Sequence, residues 1–200
     1  MRAAIEAAPP RPVGLRCAII AALIVAGFAV VLLFMGRPPI CPCGTVELWH
    51  GAANDGGTSQ GVADWYSLSH VIHGFLFYGA AALLFRAMRR PLPLAAALFA
   101  ALAIEGFWEL LENSPMIIDR YRETTASDAY AGDSVLNSVS DILFMVAGFF
   151  VARVSPAALI IAAALAMELL ALWAVRDNLT LNVLMIVHPI DAIRDWQAAR

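Results

Sequence analysis

The stretch LPLAAALFAALAIEGFWELLEN, residues 92–113, decides the fold class of this chain. It is long enough to cross a bilayer as a helix, which takes about 20 predominantly apolar residues. Glu105, Glu109 and Glu112 stand at i, i+4 and i+7 within it, so their carboxyl groups share one helical face. A membrane helix with one acidic face must turn that face toward protein or water, which predicts a polar bundle interior.

The composition of the whole chain is typical of an integral membrane protein. Of its 200 residues, 61% are hydrophobic and 14% are charged, and the mean hydropathy is +0.74. Soluble domains carry about 25% charged residues, so the lipid bilayer is the expected partner. The net charge of −3 gives no reason to expect nucleic acid as a second partner.

Five apolar segments are long enough, or nearly so, to span the bilayer. They cover approximately residues 17–35, 66–85, 92–111, 135–151 and 157–175. A sixth run, 179–190, is too short and leads into charged residues, so we expect 179–199 to be interfacial or re-entrant. The sequence predicts an all-α integral membrane helical bundle, a single membrane domain over residues 1–200. The first segment exceeds a typical signal-peptide core and is expected to be retained.

The distribution of arginine favours one orientation of this bundle. Seven arginines fall on one side of the predicted membrane and six on the other. Two segments on the richer side carry three arginines each. The amino-terminal segment has Arg2, Arg11 and Arg16, and the connection between the second and third helices has Arg86, Arg89 and Arg90. Since cytoplasmic loops are enriched in basic residues, we expect the amino end in the cytoplasm and the carboxyl end outside. The loops at about 37–65 and 113–133 would then both lie outside.

This topology places ionisable residues of four predicted helices in one layer of the membrane. They are His70 and His73, Glu105, Asp141, and Glu168. At 1.5 Å per residue each lies roughly 10 Å inward of the outer end of its helix. Burying one such group costs roughly 2.5 to 3.5 kcal/mol on insertion scales, so a layer of them predicts a cavity. The inner halves of the helices are apolar, which makes the predicted pocket one-sided.

A second polar stripe is expected on the fourth segment, and glycines are expected to bring the helices together. Asp133, Asn137 and Asp141 stand at i, i+4 and i+8. Small residues let neighbouring membrane helices approach closely, and three glycines lie on the helices that carry the layer: Gly74, Gly106 and Gly148.

The residue types of the layer suit a metal site or proton transfer. His70 and His73, together with Glu109 and Asp141, can supply ligands for zinc, iron or manganese, so a divalent metal is a candidate cofactor. The catalytic candidates are the five carboxyl groups of Glu105, Glu109, Glu112, Asp133 and Asp141. The alternative is a buried hydrogen-bond network that holds the helices together, although such contacts average only about 0.6 kcal/mol each.

The outer loops carry further candidate residues. Cys41 and Cys43 are spaced too tightly for an ordinary relaxed disulfide, so we expect them to serve packing. Binding a metal with His50 or oxidation between subunits are the alternatives. The candidates for binding an anionic substrate group are Arg120, Arg122, Asn137 and Arg176. Arg120 and Arg122 could equally lie beside lipid headgroups, with Tyr121 and Tyr130 at the interface.

Six short motifs between residues 70 and 182 carry a resemblance to a known family. They are HVIHG at 70–74, WELLEN at 108–113, IDRYR at 118–122, GDS at 132–134, NSVSD at 137–141 and RDNLTLN at 176–182. Together they resemble a family of small multi-pass inner-membrane proteins, known mainly from alphaproteobacteria, with a domain of unknown function. The resemblance implies a bacterial inner membrane and a periplasmic carboxyl end, but no activity.

A shorter pattern is similar to VanZ-like membrane proteins. It pairs Glu109 and Glu112 on one helix with Asp133, Asn137 and Asp141 on the next. This likeness implies a role in envelope or cell-wall lipid biology.

Three functions fit these observations. The first is a membrane-embedded metal-assisted or acid–base enzyme that acts on a lipid or envelope substrate from the outer leaflet. The second is a proton- or cation-binding protein, alone or as a homo-oligomer. The third is an assembly or scaffold subunit whose polar layer meets another membrane protein.

Overall fold

A computed structural model describes residues 14–53, 55–126 and 129–199, which form eight helices with no strand among them. The helices are α1 (Leu15–Phe34), α2 (Ser67–Ala87), α3 (Leu94–Glu112), α4 (Pro115–Thr124), α5 (Val135–Val154), α6 (Ala157–Val175), α7 (Leu179–Val187) and α8 (Asp191–Ala198). Five of them, α1, α2, α3, α5 and α6, are long and apolar enough to span a membrane, which confirms the predicted fold class. Arg2 and Arg11, used to predict the orientation, lie outside the described residues.

The connection at 113–133 is not a simple loop, because it contains α4. Pro115 occupies the first turn of this helix, where a missing backbone N–H costs nothing. Helix α5 starts only at Val135, because the Ser134 side chain accepts a hydrogen bond from the Asn137 N–H and caps it. Asp133 therefore precedes the helix, and the prediction that it shares a helical stripe with Asn137 and Asp141 is wrong.

The closest helix pair is α2 and α5, which two glycines bring together. A Cβ atom on Gly74 would lie 2.1 Å from the Met145 carbonyl oxygen. A Cβ atom on Gly148 would lie 2.2 Å from the Val71 carbonyl oxygen. Both distances are far below van der Waals contact with backbone that cannot yield, which confirms the predicted role of these two glycines. The third, Gly106, instead faces the ring of Phe28 on α1.

An apolar core fills the bundle beside the polar residues. It is formed by side chains of α3 and α5, namely Leu98, Ala101, Leu102, Ile142, Met145 and Phe149. Helices α1 and α6 leave most of their apolar side chains on the outer surface, for example Phe34 at 88% and Trp173 at 81% exposure. Such an apolar exterior fits a lipid environment, since soluble proteins rarely expose large apolar patches. The chain is therefore a membrane protein.

The segment 37–66 forms a roof over the end of the bundle where α2 and α5 begin. The amides of Ser134 and Val135 donate to the carbonyls of Ser59 and Pro38, which fastens the roof to the start of α5. The Asp64 carboxylate accepts from the N–H groups of Ser59 and Ser67 and so joins the roof to α2.

The cysteines of this roof differ from the prediction. Cys41 and Cys43 are joined by a disulfide, with their Cα atoms 5.1 Å apart. That separation is within the ordinary range for disulfides, so the expectation of unbridged cysteines is wrong. The physical reason is that residues 41–44 form a tight turn, closed by the Gly44 N–H donating to the Cys41 carbonyl at 2.9 Å, which brings the two cysteines together. His50 bonds to Glu47 at 2.8 Å and Asp55 at 2.9 Å rather than to the cysteines.

Candidate polar site between helices α2, α3 and α5

Two histidines of α2 converge on one carboxylate of α3. The Nδ1 atom of His70 lies 2.6 Å from Oε1 of Glu105, and Nδ1 of His73 lies 3.0 Å from Oε2 of the same residue. The histidines are one helical turn apart, so both rings reach the same point on the neighbouring helix. Glu105 is fully buried and both its oxygens are occupied. Its geometry is that of a group that fixes two imidazole rings.

Glu109, one turn along α3, has different surroundings. It is fully buried, and neither of its carboxyl oxygens has a hydrogen-bond partner among the described residues. Its Oε1 lies 3.5 Å from His70 Nδ1. Ligand atoms of His70, Glu109 and Glu112 all lie within 4.8 Å of one another, close enough to share one metal ion. A second group of possible ligands is His70, His73 and Glu105, but these side chains already hydrogen-bond to one another.

Asp141 of α5 completes the cluster on the opposite side of His70. Its Oδ2 lies 3.7 Å from His70 Nε2, and its Oδ1 accepts a hydrogen bond from the Ser67 hydroxyl at 2.9 Å. The two ring nitrogens of His70 therefore face carboxylates of two different helices. This arrangement depends on the close approach of α2 and α5.

Asp133 is held by hydrogen bonds with residues that lie just outside the helices. The Asn113 Nδ2 group donates to Asp133 Oδ2 at 2.8 Å, and the Asp133 N–H donates back to Asn113 Oδ1 at 2.7 Å. The Tyr130 hydroxyl donates to the other carboxyl oxygen at 2.9 Å. Burial raises the pKa of Asp133, although the bonds from Tyr130 and Asn113 lower it. This reciprocal pair ties the end of α3 to the start of α5.

Tyr121 and Asn182 lie beside Glu112 and were not predicted from the sequence as site residues. The Tyr121 hydroxyl on α4 lies 2.6 Å from Asn182 Oδ1 on α7 and 3.2 Å from Glu112 Oε1. Burial raises the pKa of Tyr121 well above its usual range, so the hydroxyl keeps its proton. The lipid interface is one of the two positions that the sequence leaves open for this segment, and the helix at 115–124, which was not predicted, turns Tyr121 inward instead.

Two adjoining cavities meet at these residues. The first, which we call the chamber, lies under the roof and has a volume of about 40 Å³. It is lined by Asp55, Thr58, Ser59, Tyr66, His70, Glu112, Tyr121, Tyr130, Asp133, Asn137, Asp141 and Asn182. The second, which we call the groove, lies between α2, α3 and α7 and has a volume of about 220 Å³. Its walls include His73 and Glu105 and are otherwise largely apolar.

Other candidates lie elsewhere. The Glu168 carboxylate on α6 accepts from the N–H groups of Leu179 and Thr180, so it holds the start of α7 instead of joining the cluster. The three arginine candidates are absent from the described lining of both cavities and bond to backbone carbonyls: Arg120 to Ile186, Arg122 to Tyr130 and Arg176 to Trp196. Asn137 lines the chamber and donates to the Gly61 carbonyl of the roof.

Comparison with known proteins identifies the family. A family described as "Protein of unknown function (DUF2585)" matches residues 32–199. The chain belongs to the DUF2585 family. This confirms the resemblance drawn from the motifs, whereas the likeness to VanZ-like proteins stays a prediction.

Relatives of this DUF2585 chain are bacterial proteins of similar length. A UPF0314 protein of Sphingopyxis alaskensis is 57% identical over 180 residues, covering 90% of this chain and 94% of that protein. One from Novosphingobium aromaticivorans is 56% identical over 169 residues, covering 84% and 85%. Another from Rhizobium johnstonii is 54% identical over 179 residues, covering 86% and 90%. No solved structure matches the chain.

Proposed function

We propose that this chain is a membrane-embedded, metal-assisted enzyme that acts on a lipid or envelope substrate at the periplasmic side of the inner membrane. The observation that carries the proposal is Glu109, a fully buried carboxyl group whose two oxygens lack hydrogen-bond partners. Leaving a buried polar group unpaired costs about 1 to 3 kcal/mol, and more when it is charged. A divalent cation between His70, Glu109 and Glu112 would supply the missing partner.

The surroundings of the cluster support this arrangement. Histidines that bind a metal usually donate their other ring nitrogen to a carboxylate, which fixes the ring. Glu105 fills that position for His70 through Nδ1, so Nε2 is the ring nitrogen left to bind the ion, with Asp141 beside it. A metal ion held by His70, Glu109 and Glu112 would activate water or polarise a substrate oxygen. Asp141 and Asp133 lie in the chamber wall, where they can hold or transfer protons.

Metal content of the purified chain tests the proposal. Protein prepared without metal-affinity steps should contain a stoichiometric transition-metal ion by inductively coupled plasma mass spectrometry. Glu109→Gln keeps the shape of the side chain but removes its charge, and should lose the metal. Glu105→Gln should weaken metal affinity about 10- to 100-fold, because it acts on His70 from outside the ligand set. Glu168→Gln changes a carboxylate outside the cluster and should retain the metal. Metal-free wild-type protein that binds no added zinc, iron or manganese would overturn the proposal.

Thermal stability separates this function from a purely structural network. If the cluster only held the helices together, Glu109→Met would destabilise the protein. If Glu109 awaits a cation, Glu109→Met should raise the melting temperature of chelator-treated protein, because an apolar side chain removes an unpaired buried carboxyl group. The expected gain is about 1 to 3 kcal/mol. A lower melting temperature would favour the structural network.

The other functions have less support from the contacts. A proton pathway needs polar groups on both sides of the cluster, yet the neighbouring core of Leu98, Leu102, Ile142, Met145 and Phe149 is apolar. A homo-oligomer or a membrane partner stays a prediction.

A further inference from the structure

The chamber has aromatic as well as acidic walls. The rings of Tyr66, Tyr121 and Tyr130 line it. Each of their hydroxyls bonds to a neighbouring side chain, at distances from 2.6 to 3.3 Å. The rings of Tyr121 and Tyr130 meet edge to face with their centroids 5.3 Å apart. Because their hydroxyls are anchored, the rings form fixed walls.

The charged groups of the chamber are almost all acidic. Four carboxyl groups line it, those of Asp55, Glu112, Asp133 and Asp141. Among the described lining residues His70 alone can carry a positive charge, and no arginine reaches the cavity. An anionic group entering the chamber would therefore meet like charge. The expectation that Arg120 and Arg122 hold an anionic headgroup finds no support in this lining.

The groove beside the chamber is mainly apolar, in contrast to the acidic chamber. Its apolar walls are the side chains of Phe77, Ile104, Trp108, Leu179 and Val183. Ile104 is 55% exposed on the outer surface of a membrane-spanning helix, so the groove borders the lipid. The groove and the chamber share five residues, Tyr66, His70, Glu112, Tyr121 and Asn182. A molecule that is apolar at one end and polar at the other could occupy both cavities at once. It would then lie beside the histidine–carboxylate cluster.

We infer that the substrate is an amphiphile with a positively charged amine headgroup, which binds in the chamber while its hydrocarbon chain lies in the groove. An ammonium group over an aromatic face is attracted by the negative face of the ring, and walls of several aromatic rings are a known way to bind quaternary ammonium groups. Asp133 and Asp141 add attraction for the same charge. The inference rests on the proposed function for the reaction, but binding of the amphiphile can be measured without turnover.

Four probes test the inference on the full chain in nanodiscs of neutral galactolipid, whose headgroup carries no amine that could compete for the chamber. Dodecyltrimethylammonium, dodecyl sulfate and dodecyl maltoside have the same chain with cationic, anionic and neutral headgroups, and tetramethylammonium has the headgroup alone. Binding is measured by isothermal titration calorimetry after subtraction of empty nanodiscs. Dodecyltrimethylammonium should bind saturably and at least about tenfold more tightly than dodecyl sulfate, a difference of 1.4 kcal/mol. Tetramethylammonium should bind more weakly than the amphiphile, because it leaves the groove empty.

Variants locate the binding. Tyr130→Leu and Asp133→Asn should each weaken dodecyltrimethylammonium binding severalfold and leave dodecyl maltoside unchanged. Phe107→Leu, on the outer surface of α3 at 64% exposure, is the matched control and should change neither. Equal affinity of the wild-type chain for the ammonium and sulfate probes would overturn the inference, whether or not the variants fold. So would unchanged ammonium affinity in both chamber variants.

Metal analysis of the same samples separates the two proposals. A metal-containing protein without preference for the ammonium probe would overturn only the headgroup inference. A protein that prefers the ammonium probe but binds no metal would overturn the metal-assisted reaction and support the ammonium site.

Discussion

Two glutamates of the membrane helices show that residue type alone does not define a role. Glu168 on α6 accepts hydrogen bonds from the N–H groups of Leu179 and Thr180, so its carboxylate stabilises the first turn of α7. Glu109 on α3 is more deeply buried and has no such partner. A carboxylate that already accepts several hydrogen bonds is stabilised in place, whereas one without partners has unused capacity for a ligand. The distinction depends on neighbours that are remote in the sequence.

Asp177, in the turn between α6 and α7, gives a prediction about pH at the residue scale. Burial raises its pKa from 3.8 to about 6, despite hydrogen bonds from Asn178 and Tyr66. The protonated form is therefore favoured in the folded protein. The resulting stabilisation is full below about pH 4 and is lost as pH rises through about 6. At neutral pH the buried charge costs about 3 kcal/mol.

The variant Asp177→Asn removes this titration. Its melting temperature relative to the wild type should rise between pH 4 and pH 7, because only the wild type acquires a buried charge over that interval. Differential scanning fluorimetry of both proteins across this range measures the change. A difference that stays constant with pH, or falls as pH rises, would contradict the prediction.

At the scale of elements, the contact between α2 and α5 sets the geometry of the site. Gly74 and Gly148 allow the two backbones to approach, and His70 and Asp141 face each other across the same contact. A wider separation would move Asp141 away from His70 Nε2. The glycines are thus as much a part of the site as the groups that carry its chemistry.

Replacing one of these glycines should both destabilise the bundle and disturb the cluster. In Gly148→Ala the new Cβ would lie 2.2 Å from the Val71 carbonyl oxygen. Overpacking of this kind costs about 1 to 3 kcal/mol, so we expect a lower melting temperature and weaker metal binding. Gly79→Ala, on α2, has no atom within 4 Å of the new Cβ and is the control. It should be neutral or stabilising, since alanine is the better helix former. Equal melting temperatures for the two variants would refute this packing account.

At the scale of the whole molecule, the roof and the polar cluster lie at one end of the bundle and the apolar core lies next to them. The roof is fastened to α5 through Ser134, Val135 and Asn137. The chamber includes Asp55, Thr58 and Ser59 of the roof, so it forms only where the 37–66 segment folds back over the helices. The proposed periplasmic position of the site therefore depends on which side of the membrane this segment occupies.

Cysteine labelling tests that orientation. With Cys17 replaced by alanine and the Cys41–Cys43 disulfide intact, a single cysteine at Ala52 in the roof should react with a membrane-impermeant maleimide in spheroplasts. A single cysteine at Arg90, in the connection between α2 and α3, should react only after lysis. Both sites are exposed, so accessibility within the protein is matched. The reverse pattern would place the chamber on the cytoplasmic side.

The sequence by itself determined the fold class and the types of group in the site. Long apolar runs have no stable solution in a bilayer except helices that satisfy their own backbone, so five spanning helices could be predicted without tertiary contacts. Helical period also placed Glu105, Glu109 and Glu112 on one face, because that relation is local.

Only the tertiary structure decided which of these groups meet. It separated Glu168 from the cluster and turned Tyr121 of α4 toward Glu112. Burial and hydrogen-bond satisfaction depend on residues far apart in the chain, so no local pattern could show that Glu105 is fully bonded while Glu109 is not. The physical reason is that apolar composition selects helices, whereas close packing of their particular side chains selects the neighbours of each charge.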